Sequence, residues 1–132
     1  MRKSKYKFDT LQVHAGSRPD PTTGARQVPI YQNTAYVFKS VVHAEALFDL
    51  KELGHIYSRL SNPTVSVLQE RLATLEGGIG AVCTSSGHAA QILALFPLME
   101  PGDNLIASTR LYGGSIQQLT NTINKFGWRA KF

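Results

Sequence analysis

Thr84-Ser85-Ser86-Gly87-His88 holds the residues best suited to chemistry in this sequence. The run is predicted to lie where a strand gives way to a helix. The first N–H groups of a helix have no intrahelical acceptor, and the helix dipole adds positive potential there, so such a junction suits an anion. Gly87 lets backbone approach a phosphate, and Ser85 or Ser86 can add a hydroxyl donor. The same residues also suit an ordinary strand–helix turn, where serine caps and glycine bends. Neither of two well-defined nucleotide loops is present. No Gly-x-x-x-x-Gly-Lys-Ser/Thr occurs, and no Gly-x-Gly-x-x-Gly follows a strand.

Two other clusters are candidates. Tyr57-Ser58-Arg59 sits in a predicted turn, and its planar guanidinium and phenol match a phosphate ester. It also reads as a surface arginine beside a packed tyrosine. Tyr112-Gly113-Gly114 follows a predicted strand at its carboxyl end, where open parallel sheets bind ligands, and Tyr112 could stack on an aromatic ring there or simply anchor the loop. Cys83 falls within a predicted strand and reads as a small buried residue rather than a nucleophile. His14, His43, His55 and His88 are scattered, and no metal site is expected.

The elements that must position these residues begin after an arm. Residues 1–40 carry Pro19, Pro21, Gly24 and Pro29 between short apolar stretches, so the segment is expected to lie across another surface. A short helix is predicted over Phe8–His14, ended by Gly16, and an extended stretch over Tyr31–Phe38. Ser40 can cap a helix over Val41–Leu53, with Ala44, Leu47 and Phe48 buried and Gly54 as its stop. Asn62-Pro63 marks a helix start, since Asn caps and Pro loses nothing at the first position. Val65, Leu68, Leu72 and Leu75 recur at helical spacing until Gly77-Gly78.

Strand and helix then alternate: a strand over Ala81–Ser85, a helix over Gly87–Met99 with an irregular last turn at Pro97, a strand over Asn104–Ser108, a helix over Gly114–Phe126 and a strand from Trp128. The apolar Gly87–Met99 helix is expected to be covered on most sides. This order implies α/β structure with a mostly parallel sheet, covered on both faces. The division expected is residues 1–60 as arm and helix and residues 61–132 as the start of an α/β domain that continues.

With 42% hydrophobic and 17% charged residues, the 132-residue chain can bury a core. No apolar run approaches the roughly 18 residues of a membrane span, and no signal-peptide core follows the basic start. A lone cysteine fits a cytoplasmic setting. The net charge of +5 comes mostly from Arg2, Lys3, Lys5 and Lys7, which read as a solvated tail rather than a nucleic-acid surface.

Four segments together resemble the Cys/Met-metabolism PLP-dependent enzymes: Tyr57-Ser58-Arg59-Leu60-Ser61-Asn62-Pro63-Thr64, Leu75-Glu76-Gly77-Gly78, Ser85-Ser86-Gly87 and Leu111-Tyr112-Gly113-Gly114. The arm segments Thr10–Gly16 and Gln27–Tyr31 and the stretch Val37–Ser40 resemble the O-acetylhomoserine sulfhydrylase branch. The resemblance implies an N-terminal arm plus the first part of the large pyridoxal 5′-phosphate (PLP) domain of a fold-type I, aspartate aminotransferase-like enzyme. It implies that backbone N–H groups around Ser86, Gly87 and His88 hold the cofactor phosphate. Tyr112 would stack on the pyridine ring and take part in proton handling. Tyr57 and Arg59 would reach the phosphate in a neighbouring subunit, so a homodimer or tetramer is implied. His88 departs from the glutamine or methionine of many relatives, which matters little if it contributes its backbone.

The implied reaction is a γ-replacement converting O-acetyl-L-homoserine and sulfide to L-homocysteine and acetate, with PLP as electron sink. A lysine performs imine exchange in such enzymes, and no lysine here sits in that context, so this chain alone is expected to be an inactive N-terminal fragment. The resemblance also admits O-succinylhomoserine sulfhydrylase, cystathionine γ-synthase and methionine γ-lyase. A non-catalytic interaction module is the reading from another class.

Overall fold

The computed structural model describes residues 6–132; Arg2, Lys3 and Lys5 of the basic tail lie outside the described residues. The described chain forms two compact units, divided between Cys83 and Thr84.

In the first unit, helix starts follow side-chain chemistry. Helix α1 runs over Phe8–His14 as predicted. Helix α2 begins at Val41, where Ser40 accepts from the His43 N–H at 3.1 Å. Helix α3 spans Pro63–Glu76, capped by Asn62 at its start and closed by Gly77 at φ 67°. Asn62 is buried and multiply bonded: Oδ1 accepts from the Thr64 N–H at 2.9 Å, while Nδ2 donates to Tyr31 O at 2.9 Å and Ser58 Oγ at 3.1 Å.

The arm does lie across a surface, that of α3 in its own chain. Arg71 of α3 donates to Ala15 O at 2.9 Å and Ser17 Oγ at 2.5 Å, and Thr64 Oγ1 donates to Pro29 O at 2.8 Å. Gly16, at φ 72°, permits this approach, because a Cβ there would sit 2.6 Å from Val67 O. The Tyr31–Phe38 stretch, expected to be extended, forms no strand; it bends at Thr34 and joins Tyr57 through an isolated antiparallel bridge at Ala35.

Helix α2 ends at Phe48, five residues before the predicted end at Leu53. Leu50 turns left-handed at φ 56°, and the Lys51 and Glu52 N–H groups both return to Ala46 O. Leu50 and Leu53 are almost fully exposed, so no burial draws the helix onward. Gly54 is therefore not its stop. Its missing side chain makes room for Leu47, whose Cδ2 would lie 2.8 Å from a Cβ, and Leu47 is the buried residue of α2.

The second unit opens with α4, Gly87–Leu95, which tightens into a 3₁₀ turn over Phe96–Leu98 as Pro97 requires. Strand β1, Asn104–Ile106, pairs in parallel with β2, Arg129–Lys131, with Leu105 opposite Ala130. Between them α5, Gly113–Gln117, widens into a π-helical turn over Gln118–Thr122 and narrows to 3₁₀ over Ile123–Phe126, closed by Gly127 at φ 77°. Leu119, Ile123 and Trp128 form the core, packed by Ile92, Leu95, Met99 and Leu105. The parallel sheet is thus present, with two described strands rather than three. Ala81–Ser85 has no strand partner among the described residues, so it stays irregular, and Cys83 is half-buried.

Three burial expectations fail. Phe48 of α2, expected in the core with Ala44 and Leu47, is 63% exposed, and Ala44 is only half-buried. Val65, Leu68 and Leu72 of α3 remain 41–49% exposed, and α4 has no buried residue. The described residues supply no element to cover those faces.

Asn62→Ala removes a cap and two interior bonds, and lowers unfolding free energy by about 2 kcal/mol in urea titration; an unchanged midpoint would contradict the clamp. Asp20 accepts from the Thr23 N–H at 2.8 Å, the Thr23 hydroxyl at 2.9 Å and the Thr22 N–H at 3.1 Å. The Thr23 backbone bond above all, then its hydroxyl, holds this carboxyl below the ordinary aspartate range. A lowered pKa means that the turn's stabilisation is present above the unfolded value and is lost as pH falls through the folded one. The Thr23 amide resonance should accordingly titrate below the usual aspartate pH; a midpoint at or above it contradicts the turn.

Candidate functional site

Helix α4 starts where the sequence places its anion site. Ser86 is the cap: its hydroxyl accepts from the Ala89 N–H at 3.1 Å and its carbonyl from the Ala90 N–H at 3.0 Å. Thr84 Oγ1 also donates to the Ser86 carbonyl, at 2.8 Å, fixing the preceding turn. The Gly87 and His88 N–H groups precede any carbonyl one turn back that could take them. Gly87 is open: apart from its chain neighbours and its own helix backbone, no atom lies within 4 Å of where a Cβ would project. Two free donors, a positive helix end and unobstructed space are what a phosphate ester requires. The Ser86 hydroxyl is committed as an acceptor but retains its proton to donate. Of the two serines, Ser86 is the one whose hydroxyl caps the helix.

Tyr112 stands at the start of α5, where its carbonyl accepts from the Ser115 and Ile116 N–H groups at 2.9 and 3.1 Å. Tyr112 is 77% exposed. The structure brings Tyr112 and His88 together, with ring centroids 6.1 Å apart and planes tilted by 33°. Gly114 makes this meeting possible. A Cβ there would lie 2.7 Å from Tyr112 Cε1, 2.9 Å from His88 Cε1 and 3.0 Å from His88 Nε2. Sequence reasoning assigned Gly114 to the helix start alone and gave His88 only a backbone role. The repeated glycine after Tyr112 was the available signal that something approaches closely there.

In the first unit, Tyr57 and Arg59 are adjacent in space as well as sequence. The Arg59 guanidinium carbon lies 5.3 Å from the Tyr57 ring centroid, a cation–π arrangement. No carboxylate among the described residues pairs with Arg59. The turn is held by the Ser58 N–H on Thr34 O at 2.8 Å, the Ser58 hydroxyl on Asn33 O, and the Leu60 and Ser61 N–H groups on Tyr57 O. The guanidinium is thus presented on a braced turn with donors to spare.

Among the described residues no group of His, Cys, Asp and Glu side chains could hold a metal, and no helix is long and apolar enough to cross a membrane. His43 and His55 are engaged locally: His43 accepts from the Lys39 N–H at 3.2 Å, and His55 bonds Ser61 Oγ at 3.0 Å.

The sequence profile of the Cys/Met metabolism PLP-dependent enzymes matches residues 9–132. O-acetyl-L-homoserine sulfhydrylase 1 of Thermus thermophilus is 56% identical over 126 residues, covering 96% of this chain and 30% of that protein. The crystal structure of an O-acetylhomoserine (thiol)-lyase of Campylobacter jejuni, carrying a pyridoxyl-lysine monophosphate, superposes with a TM-score of 0.89 at 45% identity, over 96% of this chain and 31% of that one. Cystathionine gamma-lyase from Lactobacillus plantarum, complexed with L-serine, superposes with a TM-score of 0.79 at 32% identity, over 96% and 30% of the two chains. The chain spans about 30% of the length of the curated relatives it matches. Its architecture is that of the first part of a fold-type I enzyme.

Gly114→Ala should separate the two rings at little cost to folding, since the atoms met are the outer ends of side chains and alanine favours helix. The His88 ring-proton resonances should shift while the melting temperature holds; unchanged resonances would contradict the contact.

Proposed function

Because the chain belongs to the Cys/Met metabolism PLP-dependent enzyme family, we propose that it contributes the phosphate-binding and ring-stacking elements of a sulfhydrylase acting on O-acetyl-L-homoserine and sulfide. The observation that carries this reading is the open, capped start of α4 beside an exposed Tyr112. When bound, PLP supplies an electron sink for carbanion chemistry next to the amino group of the substrate.

The residues of this chain bind and orient the group. The Gly87 and His88 N–H groups and the Ser86 hydroxyl hold the phosphate. The Tyr112 ring stacks against the pyridine and keeps water from that face, and its phenol Oη holds or moves a proton near the leaving group. Arg59 and Tyr57 serve a phosphate in a neighbouring subunit, which makes a homodimer the smallest complete unit and accommodates a tetramer. In that reading residues 1–60 act as arm and helix, residues 61–132 begin the cofactor domain, and the cell compartment is the cytoplasm. The Schiff-base lysine comes from sequence other than these 132 residues, so the chain by itself does not turn over substrate.

Identity favours the sulfhydrylases over the sister enzymes: 56% and 45% to two of them, against 32% to the cystathionine lyase. O-succinylhomoserine sulfhydrylase, cystathionine γ-synthase and methionine γ-lyase share the phosphate site in this reading and differ in substrate contacts.

The test uses the full-length protein assayed with O-acetyl- and O-succinyl-homoserine in the presence of sulfide. Homocysteine release preferring the acetyl ester is expected; preference for the succinyl ester overturns the substrate assignment. Arg59→Ala should raise the PLP dissociation constant about tenfold or more, as loss of a charged phosphate contact does. Tyr112→Phe should lower kcat by one to two orders of magnitude with a smaller change in cofactor affinity, as expected for removal of a proton-transfer group. Unchanged PLP retention in the arginine variant contradicts its role across subunits.

A further inference from the structure

Helices α4 and α5 are tied to each other by two side-chain amides arranged reciprocally. Gln91, in the second turn of α4, donates from Nε2 to Ser115 Oγ at 2.8 Å in the first turn of α5. Gln118, one turn further along from α5, donates from Nε2 to His88 O at 3.1 Å in the first turn of α4. Each helix start is thus held by the next turn of the other helix. Ser115 is buried, and both glutamine Oε1 atoms are buried without a partner. A desolvated acceptor with no donor opposes folding. The bond that each amide does make is therefore its polar contribution, and both bonds end on the turns that carry the candidate site. Gln118 also begins the π-helical turn, a widening of the helix that often accompanies functional sites.

We propose that Gln118 is a positioning residue: its amide fixes the His88 peptide, and with Gln91 it couples the phosphate-binding start of α4 to the turn that carries Tyr112. The His88 carbonyl shares its peptide plane with the Ala89 N–H that Ser86 caps, so holding it steadies the capped first turn on which the Gly87 and His88 N–H groups sit. The Gln91–Ser115 bond and the contact of the Tyr112 and His88 rings over Gly114 close the strap at its other end. A ligand that orders one helix start then orders the other. The ligand part of this inference rests on the PLP reading above; the strap itself does not.

The test uses the full-length protein and two variants. Gln118→Met fills similar space without a donor, and Gln118→Glu keeps the shape but sets a carboxylate against a carbonyl. Hydrogen exchange of residues 86–90 without cofactor reads the strap directly, and fluorescence titration with PLP reads its effect on binding. Exchange at Ala89 and Ala90 should accelerate roughly five- to tenfold in Gln118→Met and more in Gln118→Glu, with the rest of the protein unchanged. PLP affinity should fall in the same order. Unaltered exchange at these amides overturns the proposal, and so does acceleration spread evenly through the protein with a lowered melting temperature, which marks a merely structural role. Faster local exchange in a protein whose wild type does not bind PLP upholds the strap and removes the cofactor reading instead.

Discussion

A helix cannot satisfy its own first N–H groups, and this protein is organised around how it meets that constraint. Ser40, Asn62 and Ser86 each supply a side-chain oxygen to a helix start. At Asn62 the solution is closed: the amide caps α3 and also fastens Tyr31 and Ser58, so the cap doubles as the anchor of the arm. At Ser86 it is left open. The hydroxyl and carbonyl take Ala89 and Ala90, which leaves the Gly87 and His88 N–H groups without a helical acceptor beside an open glycine. One constraint met in two ways separates a structural junction from a candidate binding site.

Features governed by one or two neighbouring residues were legible in the sequence. Asn62-Pro63 fixed the start of α3 and Gly77 its end, and Pro97 forced the irregular close of α4. Ser86 was legible as the cap of α4 from its place before a glycine. Features that depend on distant partners were not legible. Ala81–Ser85 has a strand's composition but no neighbour to pair with among the described residues, and pairing is what makes a strand. The end of α2 was misplaced because Gly54 invited the reading of a stop, when its purpose is to admit Leu47 from an earlier turn. The π-helical turn and the Gln118–His88 bond leave no local signal, since both arise from how two helices meet.

The apolar faces give the rest of the account its scale. Among the described residues, apolar burial is confined to Leu47 and Ala73 in the first unit and to the Leu119–Ile123–Trp128 cluster in the second, while Leu68, Leu93, Phe96 and Leu98 stay in contact with solvent. Covering such faces is worth about 1.5–3 kcal/mol for each large side chain. Relatives roughly three times as long have ample chain to do so. The local geometry at Ser86 and Tyr112 is set by bonds of short range within the second unit, which is why it is well formed beside open apolar surface.

The account turns on where a phosphate ester rests. A crystal structure of the full-length protein with PLP measures this most directly. The phosphate oxygens should lie within hydrogen-bonding distance of the Gly87 and His88 nitrogens and the Ser86 hydroxyl, with the pyridine ring over Tyr112. A phosphate seated elsewhere, with the start of α4 occupied by solvent alone, would contradict the account.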